Sequence, residues 1–173
     1  MSTQAKHVLS DYEIISNDQS LINEGCKFLS IRLSEEGQNI IGKNRLHNPV
    51  CLCVAIIQLE LTGIYSSNYQ NNKYKVDILI PMKYPFAPPY VIFHTPIDHI
   101  NICNLSGLVT HSFLGSEWSP MGLRLVIIEI LQLFTVPRPQ DIITENQLIK
   151  DKTNNSSLPI RTSFLNDLDS FDF

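Results

Sequence analysis

The chain has no CxxC pair, no cluster of lysine or arginine and no apolar run long enough to cross a bilayer. The missing CxxC removes the commonest zinc and redox frameworks. Lys and Arg number 13 against 17 Asp and Glu, for a formal net charge of −4 and a pI near 5.7. That balance argues against a reader of nucleic-acid backbones. The longest apolar run, VCLCVAIIQL at 50–59, falls well short of the roughly 20 residues a membrane helix needs, and MSTQAKHVLSDYE at the start holds no apolar signal core. No membrane insertion is expected. The four cysteines (Cys26, Cys51, Cys53, Cys103) are expected to be reduced; Cys51 and Cys53 sit two apart on a strand, so they point the same way and suit core packing better than a bridge. A soluble protein of the cytoplasm or nucleus is expected.

What is present is 43% hydrophobic content in 173 residues, enough for one core. Residues 1–9 read as a flexible tail, and SDYE at 10–13 has the form of a capping box that starts a short helix. A second helix is expected over 18–35, where Leu21, Ile22, Gly25, Cys26, Leu29 and Leu33 recur at helical spacing behind Asp18 as N-cap. Residues 36–49 read as a loop. A strand over 50–61 places Cys51, Cys53, Ala55, Ile57, Leu59 and Leu61 on one face, and a strand over 73–80 does the same with Tyr74, Val76, Ile78 and Ile80. Helix, strand, strand, strand means an α+β fold with a meander sheet.

The stretch YPFAPPYVIFHT at 84–95 organises the rest. Pro85, Pro88 and Pro89 each fix a backbone angle and remove an amide donor, and they force Tyr84 and Ala87 out of helical geometry. The result is a stiffened turn launching a strand over 90–93. Residues 94–117 show no periodicity, yet their apolar content predicts an extended path along the sheet. Trp118-Ser119-Pro120 then opens a helix over 121–135 with Leu123, Val126, Ile127, Ile130, Leu131 and Phe134 at core spacing; PRPQD at 137–141 stops it, and 142–152 can form one more short helix. Residues 153–173 read as a disordered acidic and apolar tail, so the domain itself is expected over 10–152.

The order Tyr69-Gln70, the strand 73–80, YPFAPPYVIFHT, His99-Ile100-Asn101-Ile102, Gly107, Trp118-Ser119-Pro120, the helix and PRPQD resembles the ubiquitin-conjugating enzyme family over about 50–141. The resemblance implies an α+β fold: an N-terminal helix, an antiparallel four-stranded meander, a central helix and a C-terminal helical region, which is shortened here. Tyr84, Pro85, Pro88, Pro89 and Trp118 are then structural motif residues.

The family's active members take ubiquitin as a thioester on a cysteine a fixed distance before the tryptophan. Counting back from Trp118 and forward from Gly107, Thr110 holds that place, and Ser112 stands where the family often has an aspartate. A threonine hydroxyl is a weak nucleophile at neutral pH without an adjacent base. His111 is its neighbour, but adjacent residues on an extended chain face opposite ways. The family's His-Pro-Asn reads His99-Ile100-Asn101, so His99 and Asn101 are remnants of that motif. Asn101 reads either as a loop brace or as the mark of a site that uses Cys103, which is displaced by seven residues from the expected position. His94 and His99 lack a third ligand at zinc spacing, so no metal and no cofactor are expected.

The resemblance therefore implies a catalytically inactive variant of the family, regulating rather than performing conjugation. It would bind a partner conjugating enzyme, ubiquitin or a ubiquitin-like protein, or both, and direct ubiquitin-chain formation. Phe86, Ser119 and Pro120 occupy the loops that contact RING or U-box ligases in the family. Two alternatives stay open: a sorting-type variant that binds peptide motifs and ubiquitin, and an active enzyme that uses Cys103.

Overall fold

The computed structural model describes residues 2–35, 38–63 and 67–136. Its elements are α1 (Thr3–Ser16), α2 (Gln19–Asn23), β1 (Cys26–Leu33), β2 (Ile40–Lys43), β3 (Pro49–Thr62), β4 (Lys73–Pro81), β5 (Tyr90–Phe93), a 3-10 turn (Ser112–Leu114) and α3 (Leu123–Gln132). The fold is the expected α+β meander. β3, β4 and β5 pair antiparallel in chain order, while β1 and β2 both pair with the remaining edge of β3, one beyond the other. The sheet thus has five strands but is four strands wide.

Four expectations for the first fifty residues are corrected. Residues 3–9, expected as a tail, form the first half of α1. The Ser2 hydroxyl caps it by accepting from Ala5 N at 3.1 Å, and Ala5, Val8 and Ile15 lie on its buried face. Ser10 is therefore inside the helix and caps nothing. The helix expected over 18–35 is only α2. Asp18 caps it as expected, accepting from Ser20 N, but Gly25 turns the chain at φ +91° into β1. The misreading has a physical cause: a bulge between Phe28 and Ser30 adds a residue to the strand's alternation and produces an apolar spacing that resembles a helical period. The loop expected at 36–49 contains β2. Gly42 lets β2 lie close to the sheet, since a Cβ there would meet the Leu79 side chain at 2.0 Å.

β3 carries a further correction. A register shift between Cys53 and Ala55 divides the face that the alternation assigned to one side. Ala55, Ile57, Leu59 and Leu61 join the main core between the sheet and helices α1 and α3; Cys53 joins Ile56, Leu79 and Ile92 in a smaller cluster on the other face. Cys51 and Cys53 form a disulfide, with Cα atoms 5.9 Å apart, so the expectation of four reduced thiols does not hold; Cys26 and Cys103 are free. The core helix α3 begins at Leu123 behind Gly122 as N-cap, two residues later than read from Pro120, and ends at Gln132 rather than 135; it buries five of the six expected residues, Leu123, Val126, Ile127, Ile130 and Leu131, while the sixth, Phe134, is buried just beyond its end. The PRPQD stop, the helix at 142–152 and the tail at 153–173 lie outside the described residues.

Candidate functional site

The proline corner between β4 and β5 is clipped from three sides. The Tyr84 hydroxyl donates to Met121 O at 2.7 Å, Trp118 Nε1 donates to Pro85 O at 2.9 Å, and the Gln4 side chain of α1 donates to Tyr84 O. The Tyr84–Pro85 peptide is cis. Burial pushes the Tyr84 phenol up to about 12, with Asp11 adding to the effect, so the hydroxyl stays a donor at any physiological pH. Pro89 is buried, while Pro85, Pro88 and Trp118 are half-buried. Phe86, at the tip, is 83% exposed. Ser119 and Pro120 are exposed as well, on the segment that Trp118 ties to the corner.

After β5 the chain turns back along the sheet, and one glycine makes that possible. Gly107 has φ +74°, and a Cβ on it would lie 2.0 Å from Phe93 O. With no side chain there, Phe93 N donates to Gly107 O and Val109 N donates to Val91 O, at 2.8 and 2.9 Å. A small hairpin results. Cys103 N donates to Leu108 O, Ile102 bridges Val109, and Thr110 N donates to Asn101 O at 2.7 Å.

That hairpin brings Asn101 and Thr110, nine residues apart, face to face. Asn101 is fully buried, and its Nδ2 donates to Thr110 O at 3.3 Å. The Thr110 hydroxyl donates to Asn101 O at 3.2 Å. The hydroxyl proton therefore rests on a backbone carbonyl, which is no base. His111 turns away from the pair: its Nδ1 accepts from Phe113 N, and its ring lies 4.5 Å from that of Phe113. Ser112 Oγ donates to Glu117 at 2.8 Å. Cys103 is half-buried, beyond the Ile102–Val109 bridge from Thr110.

His99 locks this loop to the end of α3. Its Nε2 lies 2.8 Å from Leu133 O, and its Nδ1 accepts from Asn101 N at 3.0 Å. A carbonyl only accepts, so these partners assign the proton to Nε2 and make the ring neutral. Burial, the first cause, pulls its pKa below 6.5. His94 behaves oppositely. It sits 2.8 Å from Asp77, whose hydrogen bond is the largest cause raising its pKa. Among the described residues no three His, Cys, Asp or Glu side chains come together as a metal-holding group.

Sequence reasoning missed an open groove of about 530 Å³ beside His99, lined by Tyr69, Tyr74, Pro96 and Ile97 among others. Tyr69 donates to Asp98 O at 2.9 Å and packs near both His99 and Phe134. The one signal available was the aromatic pair Tyr69 and Tyr74 flanking an asparagine-rich turn.

A family model described as ubiquitin-conjugating enzyme matches residues 33–158. Ubiquitin-conjugating enzyme E2 27 of Arabidopsis thaliana is 32% identical over 95 residues, covering 53% of this chain and 50% of that protein. Human ubiquitin-conjugating enzyme E2 K is 35% identical over 92 residues, covering 51% and 46%. The chain spans about half the length of these curated relatives. A Toxoplasma gondii ubiquitin conjugating enzyme E2 domain aligns over 95% of this chain and 93% of its own with a TM-score of 0.56 at 20% identity, a likeness of fold.

Proposed function

The chain belongs to the ubiquitin-conjugating enzyme family, and from that premise we propose that it is a non-catalytic member. It binds a partner conjugating enzyme, ubiquitin, or both, and directs chain formation by holding an acceptor near the partner's thioester. Its contribution is then proximity rather than acid–base chemistry. The observation carrying this reading is Thr110. The residue counted to the cysteine position is a threonine whose hydroxyl donates to Asn101 O, leaving neither a thiolate nor an activated nucleophile. Asn101 supports it too. Its amide braces the Thr110 carbonyl from within the loop, a structural role for the family asparagine. Phe86, Ser119 and Pro120 would offer a RING or U-box ligase an exposed, firmly backed contact.

A thioester test decides. The protein is incubated with activating enzyme, ATP and ubiquitin and run with and without reductant, beside a known conjugating enzyme. No reductant-sensitive adduct is expected on this chain. An adduct that disappears in Cys103→Ser would overturn the reading and move the active site to Cys103. A second reading, a module binding peptide motifs and ubiquitin with no enzyme partner, draws on the groove beside His99, whose aromatic and proline lining suits an extended peptide. Co-purification with a conjugating enzyme favours the first reading; its absence, with peptide binding that Tyr69→Ala abolishes, favours the second.

A further inference from the structure

We propose that Ser119 is a phosphoacceptor for a proline-directed serine/threonine kinase, and that its phosphate switches off the apolar contact offered by the proline corner. Of the chain's ten prolines only two follow a hydroxyl residue: Pro96 after Thr95 and Pro120 after Ser119. The fold treats the two differently. Thr95 is half-buried, its Oγ1 accepts from Lys75 N at 2.9 Å, and the adjacent His94 N donates to Lys75 O at 2.8 Å. That hydroxyl is bound into an extension of the β4–β5 pairing. Ser119 is exposed, as are Pro120 and Gly122, and residues 118–122 lie outside helix and strand. Pro120 keeps Ser119 out of helical geometry and in the extended range, the backbone form in which kinase clefts take their acceptor segments. It also lacks an amide donor, so an apolar kinase subsite closes over it without burying an unpaired N–H, which any other residue would bring.

In the transfer, Ser119 Oγ forms a bond to the γ-phosphorus of ATP. The bond from that phosphorus to the β–γ bridging oxygen breaks, ADP leaves, and the hydroxyl proton passes to the carboxylate of the kinase's catalytic loop. The product carries a charge of about −1.5 to −2 at pH 7. Two hydrogen bonds place that charge beside the corner: Trp118 Nε1 donates to Pro85 O at 2.9 Å, and Met121 O accepts from the Tyr84 hydroxyl at 2.7 Å. Phe86, next to Pro85, is 83% exposed. Glu117, two residues before the acceptor, is of the same sign, and Arg124, the nearest cation along the chain, is engaged by Asp18 at 2.6 Å. A partner seated on Phe86 would have to take a dianion out of water, a cost that opposes docking. This consequence, unlike the acceptor site itself, rests on the ligase contact proposed above.

The test incubates the full chain with ATP and, in separate reactions, a cyclin-dependent kinase and a mitogen-activated protein kinase, and maps the product by tandem mass spectrometry. A single phosphoryl group is expected on Ser119 and none on Thr95, with incorporation lost in Ser119→Ala. No incorporation by either kinase overturns the acceptor site, and so does incorporation that persists in Ser119→Ala. Phosphorylation of a peptide of residues 113–124 but not of the folded chain overturns it as well, since the fold then hides the serine. Capture by an immobilised RING domain, with Phe86→Ala as the reference, reads the consequence. Binding about tenfold or more weaker after phosphorylation is expected, and equal binding by both forms overturns the switch. With neither form captured, the ligase contact falls and the switch with it, while the mapped phosphate still decides the acceptor site.

Discussion

The proline corner and the Asn101–Thr110 hairpin are both pinned by hydrogen bonds to distant segments, yet they aim their side chains in opposite directions. The corner directs Tyr84 inward, to Met121 O, and leaves Phe86 83% in water at its tip. The hairpin turns its polar groups on itself: Asn101 is fully buried, His99 is 5% exposed, and the Thr110 hydroxyl points at its neighbour's carbonyl. One region leaves an aromatic side chain in water, and the other closes its polar groups on itself. The proposed non-catalytic reading draws on this contrast.

The comparison breaks most severely at Gly107. A methyl group there collides with Phe93 O on a backbone at positive φ, so Gly107→Ala is expected to cost at least about 3 kcal/mol or prevent folding. Urea denaturation reads it; a cost under 1 kcal/mol would mean the hairpin has room to move. A matched pair of variants sharpens the contrast next. Asn101→Ala removes the donor to Thr110 O and should lower stability by about 1–3 kcal/mol. Phe86→Ala should change stability by less than about 0.5 kcal/mol and weaken capture of a RING-type ligase. Equal stability losses for both would erase the distinction between frame and contact.

The smallest expected effect is pH dependence, and its sign differs between the two histidines. His99 is held neutral by burial, with its pKa below 6.5. The unfolded chain binds a proton first, so His99's contribution is present above pH 6.5 and fades as pH falls through its folded pKa. His94 has its pKa raised by Asp77, so its contribution is present below 6.5 and fades as pH rises through the folded value. The stability difference between wild type and His94→Gln should narrow on going from pH 6 to pH 8. That between wild type and His99→Gln should narrow on acidification. Parallel trends in the two series would contradict the hydrogen bonds assigned to one ring or the other.

The sheet's later strands and the core helix were legible because their alternation is regular: β4, β5 and α3 lie within a few residues of their expected bounds. The first fifty residues were not, for local reasons. A bulge gave β1 an apolar spacing like that of a helix, β2 has only four residues including a glycine, and the cap on α1 is a serine at the second position. In the site, Thr110, Asn101 and His99 were found by position in the motif. Their mutual hydrogen bonds depend on Gly107 and on Leu133, both distant in sequence from the residues they orient. The Tyr69 groove was invisible because it forms only where two separate loops meet.

The shared edge of β3 has a consequence for solubility. At 14 residues, β3 alone would present a long row of unpaired amides and carbonyls, the kind of template on which chains stack into aggregates. β1 and β2 cover that row in two pieces of 8 and 4 residues, interrupted between Leu33 and Ile40 and bent by a register shift in each ladder. What faces outward is a short, broken rim with Lys27, Arg32 and Lys43 along it, a poor surface for a second molecule to extend. The four residues of β2 thus act as a guard against self-association at the strand most prone to it.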